Sequence, residues 1–361
     1  MLLSILFLFL QILEIAAFVI ILKKIKPAKA PKVLAIFAFA AVFLFTVKLT
    51  FTPPAIQLKN TGRFAVESLE YWVTENGRDP FAQNESLREV QVQAWFPKTE
   101  KSEKPEAVLP VVIFSHGSFG TIDNNLSLYK ELASNGYVVL ALAHPYHAAT
   151  AKLSSGKTVS VSPQFIKEGT ALSPAENPAA AFETYASWMN IRMGDMNCVM
   201  DDFVKKAESG DFEFCKYGDK NRFVVAGHSL GGAAAYGIAR IRSDVAACIA
   251  LESPFMYDIK GVKNQTFIFD DSPYQCPLLN IYTDSTYSHL AEWKEYQNNV
   301  KFLNCENCTN IYYHGAGHLT ICDLGLYSPL LARLLGGKSK GSAKKYLEQL
   351  NKDCLNFLQN L

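Results

Sequence analysis

The apolar residues of this chain follow one pattern before residue 51 and another after it. Residues 2–22 and 33–51 form two nearly continuous apolar runs. Each run is close to the roughly 20 residues that a helix needs to cross a bilayer. The ten residues between them, Lys23 to Lys32, include five lysines and two prolines, which predicts a tight basic turn. Residues 1–51 are therefore predicted to form a transmembrane hairpin of two helices.

The basic turn also predicts how the hairpin is oriented. Lysine-rich loops stay in the cytoplasm, so both ends of the hairpin and everything after residue 51 are expected on the extracytoplasmic side. A cleaved signal peptide is the alternative for the first run, but no basic residues precede it and a second span follows. Two charged residues inside the spans, Glu14 and Lys48, either face each other between the helices or reach an interface.

After the hairpin, the apolar runs predict strands separated by helices. Residues 52–65 are predicted to form an exposed linker, and residues 66–361 one domain. The run at 88–96 alternates as a half-buried strand does, whereas the run at 109–115 is continuous, as in a strand buried on both faces. Strands are predicted at 67–74, 88–96, 109–115, 137–142, 222–226, 246–251, 277–282 and 310–313, and helices at 126–135, 180–207, 232–239 and 342–358. This alternation predicts a mostly parallel sheet with helices on both faces.

One long segment, residues 146–180, carries few regular signals. It is rich in Ser, Thr, Ala and Pro, and it is predicted to form a surface loop or a lid over a site. The helix over 180–207 that follows has apolar residues three and four positions apart, several of them methionines. This face of the helix is predicted to pack against the sheet.

The composition of the chain bears on its partners, disulfides and metal ligands. The 35 basic and 34 acidic residues give a net charge of +1, so nothing indicates a nucleic acid partner. The eight cysteines are an even number that an extracytoplasmic domain could pair as disulfides. Cys305 and Cys308 have the spacing of metal ligands, but no second such pair exists, which favours a local disulfide or two free thiols over a zinc site. No metal and no cofactor is expected.

The most specific motif is GHSLG at residues 227–231, between a predicted strand and a predicted helix. The pattern G-x-S-x-G in this setting is typical of a serine raised above a sheet on a strained turn. Glycines are needed beside that serine because the turn is sterically crowded. The motif therefore predicts that Ser229 is a nucleophile. The alternative is a glycine-rich turn without chemistry.

A serine hydroxyl needs a histidine base, itself oriented by a carboxylate. Three histidines follow Ser229. His318 lies on a glycine-rich loop that can carry an imidazole over the end of the sheet, so it is preferred to His314, which still belongs to a strand end. His289 lies in a polar stretch and is expected to be solvated. The acid stays open between Glu252 and Asp284, which end consecutive predicted strands.

From about residue 88 onward, the sequence resembles the plasma-type platelet-activating factor acetylhydrolases, the group VII phospholipase A2 family of α/β-hydrolases, and related bacterial esterases. The resemblance rests on four motifs, which are PVVIFSHG at 110–117, GHSLGG at 227–232, IALE at 249–252 and GAGH at 315–318. It implies an α/β-hydrolase fold, a mostly parallel central sheet with helices on both faces, here preceded by the transmembrane hairpin.

The resemblance also changes the choice of acid. In most α/β-hydrolases the acid follows the later strand, which favours Asp284. In the resembled family it ends an A-L-D motif after the nucleophile helix, and this motif stands here as Ala250-Leu251-Glu252. Glu252 is therefore preferred and Asp284 is kept as the alternative. A glutamate reaches one methylene further than an aspartate, so the histidine is expected to stand further back.

An oxyanion hole needs two backbone N–H groups. Leu230 supplies one by its position after the nucleophile, and the resemblance implies Ser118 for the other. His116, the alternative base, precedes Ser229 in the chain and is expected to brace the loop that carries Ser118 instead.

Together these features predict a serine hydrolase that acts on carboxylic esters through an acyl-enzyme. The resemblance implies a phospholipase A2 that cleaves phospholipids with short or oxidised acyl chains, so the expected partners are a lipid or small ester and the membrane that holds the hairpin. The alternatives are a general carboxylesterase, a hydrolase of polyesters or acylated polymers, a membrane-anchored acyltransferase, and an inactive binding protein of the same fold.

Overall fold

One eight-stranded sheet organises the part of the chain that follows the two N-terminal helices. The structure, a computed structural model, describes residues 2–24, 29–81, 87–98, 108–216, 218–337 and 339–361. The strands are β1 (Val66–Arg78), β2 (Leu87–Pro97), β3 (Leu109–Ser115), β4 (Val138–Ala143), β5 (Thr150–Lys152), β6 (Thr158–Ser160), β7 (Gly218–His228), β8 (Val245–Leu251), β9 (Ile259–Lys263), β10 (Thr266–Phe269), β11 (Leu278–Thr283) and β12 (Cys308–Tyr313). The helices are α1 (Leu2–Lys24), α2 (Lys29–Phe51), α3 (Leu126–Ser134), α4 (Pro163–Ala171), α5 (Pro178–Ser209), α6 (Leu230–Ile241), α7 (Gln297–Phe302), α8 (Leu324–Tyr327), α9 (Pro329–Gly336) and α10 (Ala343–Gln359).

The strand order of the large sheet is β1-β2-β4-β3-β7-β8-β11-β12. The pairings of β2 with β1 and with β4 are antiparallel, and those from β4 through β12 are parallel. Within this sheet, β2 alone therefore runs against the others. The mostly parallel sheet predicted from the sequence is confirmed.

Side chains of the central strands alternate between two apolar cores. On β3, Val111 and Ile113 belong to the core that α5 and α6 cover. Their neighbours Val112 and Phe114 belong to the core on the other face, which α3 and α10 cover. A strand buried on both faces has to be apolar at successive positions, which explains the unbroken run at 109–115.

The segment at 146–180, predicted to form a surface loop or a lid, has regular elements that its sequence did not predict. It contains the hairpin of β5 and β6 and the helix α4. Ser162 caps α4 by accepting a hydrogen bond from the N–H of Phe165 at 3.0 Å, and Pro163 opens the helix, as is common at this position. The ring of Phe165 is buried 5.1 Å from the ring of Phe119. Short elements such as these are stabilised by tertiary packing that local sequence does not reveal.

The two N-terminal helices pack against each other. Both are long and apolar enough to cross a membrane by length and composition. Phe18 stacks on Phe39 with ring centroids 4.0 Å apart, and Thr46 Oγ1 donates a hydrogen bond to Glu14 at 2.9 Å. Glu14 thus faces the other helix, with Thr46 as its donor. Residues 25–28 of the predicted basic turn lie outside the described part of the chain.

Candidate active site

The carboxyl ends of the parallel strands bring the predicted site residues to one edge of the sheet. Ser229 follows β7 directly, and Glu252 follows β8. His318 lies on the loop after β12, and Ser118 on the loop after β3, which we call the oxyanion loop (residues 116–120). Parallel strands end at the same edge, so four segments far apart in sequence meet there.

Ser229 lies on a strained turn. Its backbone angles are φ 54° and ψ −122°, in a region that a non-glycine residue occupies only at a cost of about 1–3 kcal/mol. The N–H of Ser229 donates to the carbonyl of Leu251 at 2.8 Å, which ties the turn to β8. A β-carbon at Gly231 would overlap the backbone of Ser115, and one at Gly227 would overlap the backbone of Gly231. Both glycines of the motif are therefore required by close packing.

Glu252 contacts the imidazole of His318. Its Oε2 lies 3.2 Å from His318 Nδ1. Its Oε1 accepts hydrogen bonds from the N–H of Thr283 and from Thr286 Oγ1, the latter at 2.7 Å. The side chain is fully buried. Because Glu252 follows β8 and His318 follows β12, the carboxylate has to cross the end of β11, and the additional methylene of glutamate extends its reach over that strand.

Asp284, the alternative acid, lies next to His314 and not next to His318. Its Oδ1 accepts hydrogen bonds from Tyr312 Oη at 2.5 Å and from the N–H of Gly315 at 3.0 Å, and it lies 3.3 Å from His314 Nδ1. Burial raises the pKa of Asp284, but these two hydrogen bonds and the neighbouring His314 lower it overall. His314 is 72% exposed. The alternative acid and the alternative base thus form a pair of their own at the surface.

Leu230 and Ser118, the two residues predicted to supply oxyanion N–H groups, line one cavity with Ser229. Leu230 is the first residue of α6, so its N–H has no acceptor within the helix. Ser118 lines the same cavity as Ser229, Leu230 and His318. The preceding residue, Gly117, packs so closely that a β-carbon there would come within 3.3 Å of Ser229 Cβ.

A buried arginine forms hydrogen bonds with the backbone of the oxyanion loop. Arg192 on α5 donates to the carbonyls of His116 at 2.6 Å and Gly117 at 3.4 Å. Burial lowers the pKa of Arg192 to about 9, so the guanidinium stays charged at neutral pH. His116 is fully buried, and its Nε2 accepts a hydrogen bond from the N–H of His144 at 3.2 Å. Burial and the charge of Arg192 lower the pKa of His116, so this imidazole is neutral and braces the loop.

The buried carboxylate of Asp195 balances the positive charge of Arg88. The carboxylate accepts hydrogen bonds from Arg88 Nε at 2.6 Å and Nη2 at 2.8 Å, and it lies 2.7 Å from His144 Nδ1. Burial is the largest single effect and raises the pKa of Asp195, but the charge of Arg88 and the hydrogen bonds with His144 and Arg88 together lower it. His144 Nε2 in turn lies 2.8 Å from Ser115 Oγ. Sequence reasoning missed this network, although charged residues at positions 192 and 195 interrupt the apolar face of the helix.

Two cavities share Ser118, Ser229, His318 and Leu335 among their lining residues. The first, which we call the apolar cavity, has a volume of about 780 Å³. Its large side chains are Phe119, Leu319, Leu324, Tyr327 and Leu335. The second, which we call the aromatic cavity, has a volume of about 490 Å³. Its distinctive side chains are Trp188, Trp293, Glu295 and Tyr296.

The apolar cavity lies next to the N-terminal hairpin. Part of its wall comes from α8 and α9, and α9 contacts α2. The N–H of Ile56, just after the hairpin, donates to the carbonyl of Leu326 at 3.4 Å. On α9, Leu334 and Leu335 are 66% and 68% exposed.

The described residues also bear on the predictions about metal ligands and disulfides. In the described ranges, no group of three or more His, Cys, Asp or Glu residues is arranged to hold a metal ion. No disulfide joins any of the eight cysteines, all of which lie in the described ranges. The predicted pair Cys305 and Cys308 lies in hydrogen-bond contact, and burial raises the pKa of Cys308.

Comparison with known proteins supports the resemblance found in the sequence. A protein-family model described as platelet-activating factor acetylhydrolase, isoform II, matches residues 86–168, a segment that carries the oxyanion loop and ends before Ser229. Among solved structures, the chain is similar to a ferulic acid esterase from Streptomyces cinnamoneus, with 19% identity and a TM-score of 0.59 over 82% of this chain and 89% of that chain. No curated protein matches the chain. The predicted α/β-hydrolase fold is confirmed.

Proposed function

We propose that this chain hydrolyses carboxylic esters, with Ser229 as nucleophile. The chain is an α/β-hydrolase of the branch that includes platelet-activating factor acetylhydrolases and esterases. The observation that carries this proposal is the contact of Glu252 with His318, beside a serine on a strained turn. In this scheme Glu252 keeps the proton of His318 on Nδ1, so Nε2 is free to act as the base.

The reaction proceeds in two acyl-transfer steps. Ser229 Oγ attacks the ester carbonyl while His318 Nε2 takes its proton, and the N–H groups of Leu230 and Ser118 stabilise the resulting oxyanion. The intermediate collapses, His318 returns the proton to the leaving alcohol, and the acyl group stays on Ser229. Water then attacks the acyl-serine, with His318 again as base, and the carboxylic acid is released.

We also propose that the substrate is a lipid ester. The apolar side chains of the apolar cavity support this, as does its position beside α9 and the hairpin. Exposed leucines on a helix at that position suit contact with a bilayer surface. The esterase among the structural neighbours favours a second candidate, a general carboxylesterase that acts on soluble esters.

Active-site labelling and a substrate panel test the proposal. We expect a fluorophosphonate probe to label the full chain in native membranes and to leave the Ser229→Ala variant unlabelled. The panel compares p-nitrophenyl esters with phospholipids that carry short or long sn-2 acyl chains. Absence of labelling at Ser229 would refute the serine mechanism, and hydrolysis of the p-nitrophenyl esters without the phospholipids would favour the carboxylesterase.

The orientation of the domain needs a separate experiment. We propose that the domain after residue 51 lies on the extracytoplasmic side, which the lysines of the connecting turn support. A protease added to intact cells, or to spheroplasts if an outer barrier is present, is expected to digest the domain. Digestion that requires prior rupture of the membrane would contradict this orientation.

A further inference from the structure

A carboxylate without a cationic partner lies in the wall of the aromatic cavity. Glu295 is partly buried there, and among the described residues no lysine or arginine forms an ion pair with it or lines the cavity. The neighbouring Lys294 points elsewhere, since its ammonium donates to the carbonyls of Ala175 and Gln265 at 3.0 and 2.8 Å. The negative charge of Glu295 is therefore left for a ligand to balance.

Three aromatic rings line the same cavity as this carboxylate, and each ring makes a specific contact. Trp188 Nε1 donates to Glu168 at 2.7 Å. His289 stacks on Trp293 with ring centroids 4.7 Å apart and planes within 9°. The ring of Tyr296 lies 5.7 Å from the ring of Trp293. The face of an aromatic ring attracts cations. Because these rings are already held in place, binding a cation costs them little conformational entropy.

The cavity is continuous with the reacting groups. Tyr296 Oη donates to the backbone carbonyl of Glu252 at 3.2 Å, and Ser229 and His318 line the same cavity as Glu295. One substrate molecule can therefore place its ester bond at Ser229 and a second group in this cavity. The apolar cavity, which Ser229 also lines, can take the apolar part of that molecule.

The charged and aromatic side chains that line the cavity favour a cationic ligand. Burial raises the pKa of Glu295. Burial first, and after it the charges of Glu252 and Glu295, raise the pKa of Tyr296. Among the described residues that line the cavity there is no lysine or arginine, so the carboxylate of Glu295 and the faces of the two tryptophans favour a cation there.

We propose that the aromatic cavity is a subsite for a cationic group of the ester substrate, an ammonium or quaternary ammonium, with Glu295 as counter-ion and Trp188 and Trp293 as aromatic walls. The inference rests on the proposed ester hydrolysis at Ser229, because the cation is defined as part of that substrate.

A pair of esters that differ in one charge tests the subsite. Butyrylcholine and 3,3-dimethylbutyl butyrate have the same acyl group and nearly the same shape, but the second carries a neutral carbon in place of the nitrogen. We expect the full chain to prefer butyrylcholine by about tenfold or more in kcat/KM, the size expected for a partly desolvated cation beside aromatic faces and a carboxylate. In Glu295→Gln the ratio should fall toward one.

This ratio is measured on one sample, so it does not depend on the fraction of folded enzyme. Glu306→Gln removes an exposed carboxylate that lines a different cavity, and we expect it to keep the wild-type ratio. Trp293→Leu keeps an apolar wall without the aromatic face and should reduce the preference. As a measurement that needs no variant, tetramethylammonium should inhibit wild-type hydrolysis of p-nitrophenyl butyrate more strongly than neopentyl alcohol does.

The outcomes separate the two proposals. Failure to hydrolyse any of these esters, with no fluorophosphonate labelling, would refute the proposed function itself. Hydrolysis with equal kcat/KM for the charged and neutral esters in the wild-type chain would overturn the cationic subsite alone. An unchanged preference in Glu295→Gln would likewise overturn the role of this carboxylate.

Discussion

At the scale of single residues, the proposed mechanism depends on which carboxylate orients His318. Glu252 and Asp284 both end strands at the same edge of the sheet, so sequence position alone leaves the choice open. The structure places Glu252 at 3.2 Å from His318 and Asp284 at 3.3 Å from His314. The two carboxylates are therefore distinguished by the direction of their side chains, which depends on the whole sheet.

Two amide substitutions test this assignment. In Glu252→Gln, the amide can still accept the hydrogen bond from Thr283, but its NH₂ group then faces His318 Nδ1 and favours the wrong tautomer. We expect kcat to fall by roughly 10³- to 10⁴-fold, as in other triads that lose the acid. Asp284→Asn should change kcat less than about tenfold. Steady-state kinetics on p-nitrophenyl butyrate measure both, and the reverse order would refute Glu252 as the acid.

Arg192 is expected to act on the reaction through the oxyanion loop. Arg192→Met removes the donor to the carbonyls of His116 and Gly117, so the loop that carries the proposed oxyanion donor Ser118 loses this support. We expect kcat to fall by about 100-fold, the effect of losing one oxyanion donor, with a smaller change in KM. Arg222→Met, at an exposed arginine, is the control. A loss of stability without a loss of kcat per labelled active site would make Arg192 purely structural.

At the scale of elements, local patterns predicted the long pieces and missed the short ones. The strand at 109–115 and the turn at 227–231 follow from apolar runs and glycines that act locally. The helix α9 has eight residues, and Leu334 and Leu335 are exposed, so no buried stripe marks it. The aromatic cavity combines residues 188 and 293–296, which tertiary packing alone brings together.

The exposed face of α9 is expected to matter for substrates held in a membrane. Leu334→Asp places a charge on this face, where contact with a bilayer would have to desolvate it. We expect a rise of about tenfold in the apparent KM for a phospholipid in vesicles, and little change for soluble p-nitrophenyl butyrate. Ile241→Asp, at an exposed residue that ends α6, is the matched control. Equal effects of Leu334→Asp on both substrates would argue against a membrane role for α9.

At the scale of the whole molecule, buried histidines link stability to pH. His116, His144, His147 and His228 are fully buried. Burial lowers the pKa of each, to about 4 for His144 and about 2 for His147, and well below the usual value for the other two. In the unfolded chain these histidines bind protons near pH 6.5. The unfolded state thus gains protons first as the pH falls.

We therefore expect the free energy of unfolding to decrease as the pH falls below about 6.5, by about 1.4 kcal/mol per pH unit for each such histidine. Asp323 opposes this trend, because burial raises its pKa to about 6 and the folded state then binds its proton first. Burial also raises the pKa of Asp123, Asp258 and Glu295 from their ordinary values near 4. We expect the four histidines, whose pKa in the unfolded chain lies within the measured pH range, to keep the net slope positive with pH. Urea unfolding of the full chain in detergent at pH 7.5, 6.5 and 5.5 measures this slope. In His147→Gln the slope should be smaller by about 1.4 kcal/mol per pH unit, the contribution of one proton. Stability that is constant or higher at pH 5.5 would show that these histidines are protonated in the folded state.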